Sequence, residues 1–203
     1  MNITAIMQTA PVIPVLVIDD VAHAAPIAEA LVAGGLRVVE VTLRTPAALD
    51  VIAEIAKVEG AIVGAGTVLN TADLDAALAA GAQFIVSPGL TDPLAHAAIA
   101  SGIAFLPGTA NASDIMRGLD LGLSRFKFFP AMASGGLPAL KALAAPFGKV
   151  RFCPTGGITP DKAPEWLGEE AVLCVGGSWI VPRGTPDTAL IRQNAAAAAA
   201  LIA

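Results

Sequence analysis

Two segments of the chain place ionisable side chains in apolar, β-branched surroundings. Residues 37–44 read Arg-Val-Val-Glu-Val-Thr-Leu-Arg. Successive side chains of a strand point to opposite faces. Val39, Val41 and Leu43 then share a face suited to packing on helices, and Glu40, Thr42 and Arg44 share the other. Residues 125–130 read Arg-Phe-Lys-Phe-Phe-Pro, and Lys127 alone among five lysines lies inside an apolar strand segment. Burial penalises the charged form of an amine, and the neutral amine is the form that attacks a carbonyl. Lys127 as a nucleophilic amine, with the Glu40 carboxylate nearby, therefore suits imine chemistry. The bland alternative is a structural ion pair. Arg44, with a planar guanidinium, suits a substrate carboxylate.

Small and polar residues follow the remaining apolar runs. These are Gly64-Ala-Gly-Thr67, Ser87-Pro-Gly89, Pro107-Gly-Thr109, Pro154-Thr-Gly-Gly157 and Gly176-Gly-Ser178. Paired glycines let backbone N–H groups approach an anion closely. Two such pairs late in the chain point to a phosphate site, against the plain reading of turn glycines. His23 and His96 fall on predicted helices, away from strand ends. No His, Asp or Glu cluster has metal-ligand spacing, and Cys153 and Cys174 match no zinc pattern. No Gly-x-Gly-x-x-Gly opens a helix after the first strand. Neither a metal nor a dinucleotide is expected. The inventory suits imine chemistry on a phosphorylated keto acid.

These residues need a scaffold, and the chain has a rhythm that supplies one. Eight apolar runs read as strands: 13–18, 38–43, 62–65, 84–86, 104–106, 126–129, 150–153 and 172–175. Ala-rich segments near 22–34, 46–58, 71–80, 92–101, 112–121, 136–145, 160–167 and 186–202 read as helices. Continuous apolar strands alternating with helices argue for a parallel sheet covered on both faces. Eight units of about 25 residues fit a compact (β/α)8 TIM barrel, with chemistry at the C-terminal strand ends. The expectation is a single α/β domain over residues 1–203, with a short N-terminal segment before the first strand. A doubly wound open sheet is the alternative, because periodicity does not show closure. Asp20, Thr71, Thr91, Ser113 and Thr159 stand where N-caps are wanted, and Gly34–Gly35, Gly81, Gly102 and Gly122 where helices stop.

Composition narrows the partners. The chain has 203 residues, 12 basic against 17 acidic, and a net charge of −5. That sign gives no footprint for nucleic acid or an anionic membrane. Aromatics are 4% with no Tyr, so base-stacking platforms are not expected. The uncharged stretch Pro93–Ser113 is broken by Gly102, Pro107 and Gly108 and does not read as a membrane span. Met1–Ala10 has no basic, long-apolar signal-peptide pattern. Two cysteines without a disulfide framework fit reduced thiols in the cytoplasm.

The segments Val39–Thr45, Val63–Val68, Phe84–Gly89, Phe126–Pro130, Arg151–Ile158 and Cys174–Trp179 resemble the 2-dehydro-3-deoxy-6-phosphogluconate (KDPG) and 4-hydroxy-2-oxoglutarate aldolase family. The resemblance runs from about Pro11 to the last helix. It implies a class I, metal-independent aldolase and a homotrimer. The implied reaction is cleavage of KDPG to pyruvate and glyceraldehyde 3-phosphate, with side activity on 4-hydroxy-2-oxoglutarate. Lys127 resembles the Schiff-base lysine, and Glu40 the acid/base acting with a bound water. Arg44 and Thr67 resemble the holders of the keto-acid carboxylate. Pro88 and Phe129 resemble pyruvate-pocket residues and Thr155 a substrate-hydroxyl contact. Gly156, Gly157, Gly177 and Ser178 resemble the phosphate site. The chain departs from relatives at Pro107–Asn111, where Thr109 follows the glycine, and at Val17–Ile18, where some relatives carry an arginine. The alternatives are an aldolase for the galactonate epimer, against which Thr155 speaks, a phosphate-binding barrel isomerase or epimerase, and a metabolite-binding barrel without turnover.

Overall fold

The computed structural model describes residues 1–201. In chain order the elements are α1 (Ile3–Met7), β1 (Val12–Leu16), α2 (Ala24–Ala33), β2 (Val38–Thr42), α3 (Ala48–Ile55), β3 (Ile62–Gly66), α4 (Thr71–Ala79), β4 (Phe84–Val86), α5 (Asp92–Ser101), β5 (Ala104–Leu106), β6 (Gly108–Thr109), α6 (Ala112–Asp120), β7 (Arg125–Phe128), α7 (Gly136–Ala144), β8 (Arg151–Pro154), α8 (Ala163–Leu167), β9 (Val175–Gly177) and α9 (Thr188–Ala199). The last predicted helix reached residue 202, which lies outside the described residues.

The fold is α/β, built on a curled parallel sheet. Six strands run in the order β5-β4-β3-β2-β1-β9, and a second sheet has the order β6-β7-β8. The named strand pairs are parallel. The single strand predicted at 104–106 continues past Pro107 as β6 and changes sheet there. Proline has no N–H to give to a ladder. Its carbonyl still accepts from Lys127 N at 2.8 Å, so the break hands the chain from β4 to β7. Two isolated bridges, Phe152 with Val172 and Thr155 with Gly176, link β8 to the segment around β9.

Strand alternation sorts the core into two layers. Val39, Val41, Val63, Ala65, Ile85 and Phe105 pack with the helices. Val38, Ile62, Phe84, Val86, Ala104 and Leu106 pack with Cys153 and Cys174 on the other side of the strands. Ile6 and Met7 of α1 join this inner layer, fully buried. The sequence pattern gives only a short N-terminal segment here, because a five-residue helix is too short to show a period.

Several predicted caps move by a residue or two. Asn70 and Asn111, not Thr71 and Ser113, accept from Asp73 N and Asp114 N. The aspartates reach back to Leu69 N and Ala110 N, which makes each start a reciprocal box. Thr91 precedes α5 without a side-chain cap bond. Thr159 does not cap α8, which begins at Ala163. Its hydroxyl serves Asp161 and holds that carboxyl below its ordinary value. Asp20 caps a short 3-10 turn over Val21–His23. Gly35, Gly81, Gly102 and Gly122 have positive φ after their helices, whereas Gly34 does not.

Candidate active site

Glu40 is the third residue of β2 and Lys127 the third of β7. They are 3% and 6% exposed, and Lys127 Nζ donates to Glu40 Oε1 at 3.1 Å. Two charges this deep are costly to desolvate, and the pairing offsets part of that cost. The Phe129 ring centroid lies 5.2 Å from Nζ and walls one side. Cys153 is the register partner of Lys127 on β8, and its thiol joins that of Cys174 in the inner layer. A hydrogen bond with Cys153, burial and the nearby Glu40 charge push the Cys174 thiol well above its ordinary value. That thiol stays protonated at neutral pH and does not compete as a nucleophile.

The remaining candidates rim the same strand ends, grading from buried to exposed. β2 stops at Thr42, whose hydroxyl donates to Leu16 O at 2.9 Å. Strict alternation therefore ends before Arg44. Leu43 N donates to Gly66 O, and Arg44 N turns back to Thr42 O. Arg44 is exposed and leaves β2 beside the end of β3. Thr67 follows β3 half-buried, with φ at 61°. A β-branched residue in that left-handed region is strained. No sequence pattern signals this.

Pro88 is exposed in a turn that Ser87 holds, its hydroxyl donating to Gly89 O at 2.6 Å. The Pro88 carbonyl lies against Gly108, the register partner of Lys127. The sequence shows Ser87 only as a strand-end residue and carries no signal of this ordering role.

The loops after β7 and β8 are tied together. Ala131 N donates to Thr155 O at 2.8 Å and Met132 N to Gly156 O at 3.1 Å. Gly156 and Gly157 both have positive φ, at 107° and 78°. Two successive residues of this kind suit glycine and leave a turn without side chains. Thr155 is buried against Gly176, and Gly177 and the exposed Ser178 follow across the bridge. The late glycine pairs therefore stand at adjacent strand ends. Both histidines lie off these ends, His96 exposed on α5.

A different concavity, of about 450 Å³, lies at the opposite end of β8 among Leu140, Phe147 and Val150. Its charges are matched by Lys141–Glu169 and Arg151–Glu170 ion pairs at 2.5 and 3.0 Å.

A buried amine, a carboxylate in contact with it and a glycine-lined rim describe a site for carbonyl chemistry on an anionic substrate. The family model described as KDPG and KHG aldolase matches residues 3–194. The chain belongs to the KDPG and KHG aldolase family. A 2-dehydro-3-deoxy-phosphogluconate aldolase of Zymomonas mobilis is 62% identical over 199 residues, 98% of this chain and 96% of that protein. A crystal structure of the 2-keto-3-deoxy-6-phospho-gluconate aldolase from Zymomonas mobilis superposes with a TM-score of 0.98 at 61% identity, covering 100% of this chain and 98% of that one. The KDPG aldolase from Legionella pneumophila, with pyruvate captured as a covalent carbinolamine intermediate, superposes at 0.93 with 43% identity, over 98% and 99% of the two chains. Membership in this aldolase family makes the chain a lyase.

Proposed function

We propose that this chain is a class I aldolase that cleaves KDPG to pyruvate and glyceraldehyde 3-phosphate, with side activity on 4-hydroxy-2-oxoglutarate. The observation that carries this reading is the buried contact between Lys127 Nζ and Glu40 Oε1 at 3.1 Å. Moving one proton from Nζ to Glu40 makes the pair neutral and frees the amine. Nitrogen attacks C2 of the keto acid, and protonated Glu40 delivers the proton that lets the C2 oxygen leave as water. The protonated imine is then the electron sink. Glu40 takes the C4 hydroxyl proton, the C3–C4 bond breaks, and its electron pair passes to the imine nitrogen as an enamine. Glyceraldehyde 3-phosphate leaves. Glu40 returns its proton to C3, and water hydrolyses the new imine to release pyruvate.

In this reading Arg44 and Thr67 hold the substrate carboxylate, and Pro88 and Phe129 line the pyruvate end. Thr155 meets a substrate hydroxyl and favours the gluconate over the galactonate epimer. Gly156, Gly157, Gly177 and Ser178 receive the phosphate through backbone N–H groups and a hydroxyl. The adjacency of the two glycine turns supports that assignment. We also infer that residues 1–203 form one domain, that the two sheets form one closed (β/α)8 barrel, and that the chain works as a cytoplasmic homotrimer. The two bridges from β8 and the Lys127-to-Pro107 hydrogen bond support closure.

The test is incubation with pyruvate and borohydride, followed by peptide mapping. A reduced pyruvyl adduct on Lys127 is expected. An unmodified Lys127 in folded, pyruvate-saturated protein overturns the imine reading and favours an isomerase that uses the pair without a covalent step.

A further inference from the structure

We propose that Gly66 is a positioning residue for the aldol reaction: its missing side chain is the space in which the Glu40 carboxylate stands beside Lys127. A Cβ at position 66 would lie 2.7 Å from both Cδ and Cγ of Glu40, and closer still to Oε1. Real Cβ atoms do not approach so closely. Gly66 pairs in register with Thr42, two residues along β2 from Glu40, so the carboxylate leans toward the C-terminal strand ends. There it meets Lys127 Nζ. Gly66 is not in left-handed backbone, so no turn demands glycine here. The demand comes from the carboxylate.

Gly64, two residues earlier on β3, makes a useful contrast. A Cβ there would run into the ring of Phe84, a fully buried core residue. Alanine at 64 therefore damages packing. At 66 the atoms in the way are Cγ, Cδ and Oε1 of one flexible side chain. Alanine at 66 is accommodated by rotating Glu40 about its Cα–Cβ bond, which moves Cγ and carries the carboxylate away from Nζ. The fold survives and the proton transfers suffer. This inference rests on the reading of Glu40 as acid and base.

The experiment is a double-substitution cycle on KDPG cleavage. Gly66→Ala is expected to keep the melting temperature within a few degrees. It should lower kcat by about 10²-fold, the scale of a catalytic group misplaced by about 1 Å, and leave KM within about twofold. Glu40→Gln alone is expected to lower kcat by ~10²–10⁴. Adding Gly66→Ala to Glu40→Gln should then cost less than about twofold, because the group it displaces is already inert. Equal losses in both backgrounds, or a Gly66→Ala enzyme with normal kcat, overturn the role of Gly66. Normal turnover by Glu40→Gln instead overturns the reading of Glu40. If Gly66→Ala does not fold, Gly66→Ala/Glu40→Ala, compared with Glu40→Ala alone, separates the causes. Removing Cγ, Cδ and Oε1 is expected to restore folding to the level of Glu40→Ala, and failure of that pair means that something other than Glu40 occupies the space.

Discussion

Thr109 lies in β6 at 2% exposure, and its Oγ1 has no hydrogen-bond partner among the described residues. Leaving a buried hydroxyl unpaired costs about 1–3 kcal/mol, whereas an apolar group of the same shape has no such cost. Register places Thr109 beside Phe128 and Gly108 beside Lys127, so Thr109 faces the helix layer and not the amine. Thr109→Val is therefore expected to stabilise the protein by roughly 1–2 kcal/mol, a rise of about 2–4 °C in Tm per kcal/mol at this size, with kcat unchanged. A thermal melt decides it: an unchanged or lower Tm means the hydroxyl is satisfied in solution. The same scale shows what was legible in the sequence. Glu40 and Lys127 stood out because a charge inside an apolar strand is expensive unless paired or used. Arg44 was legible from strand alternation, although β2 stops short of it, whereas the role of Thr67 follows from the family resemblance alone. The ladder ends at Thr42, and the left-handed turn at Thr67 is a tertiary feature with no local signature.

Strands and helices were legible as alternating units, and their ends were not. β9 starts at Val175 and not at Val172, because Val172 bridges to Phe152 before the ladder with β1 begins. The apolar run is continuous across that change of partner, so hydrophobicity alone does not mark it. Helix α9 does more than cover the sheet. Asn194 Nδ2 donates to Ile180 O at 3.1 Å and ties the helix to the loop after β9. Ser178 stands two residues before that carbonyl. Asn194→Ala removes the tether without touching a candidate contact. It is expected to raise KM for the phosphorylated aldol roughly three- to tenfold, the equivalent of about 0.7–1.4 kcal/mol for one hydrogen bond. KM for unphosphorylated 4-hydroxy-2-oxoglutarate should stay within twofold. Equal increases for both substrates would detach this loop from the phosphate end.

The whole molecule divides its labour between the two ends of the strands. One end carries the Lys127–Glu40 pair and the glycine turns. The other is sealed by α1, whose Ile6 and Met7 are fully buried against Ile13, Val38, Ile62 and Phe84. Strand β7 serves both ends, since Arg125 Nε donates to Thr4 Oγ1 at 3.0 Å two residues before Lys127. This seal was invisible in the sequence, because a single apolar turn gains its meaning only from the opening it fills. Ile6→Ala leaves a cavity in the inner layer, and such truncations cost about 2–5 kcal/mol. The denaturant midpoint should fall accordingly, with the slope unchanged. Under native conditions the folded enzyme should keep its kcat and KM, because Ile6 packs at the strand starts, where Arg125 meets Thr4, and not beside the amine. If kcat falls with stability, the inner layer transmits displacement to the Lys127–Glu40 pair, and the two ends are one mechanical unit.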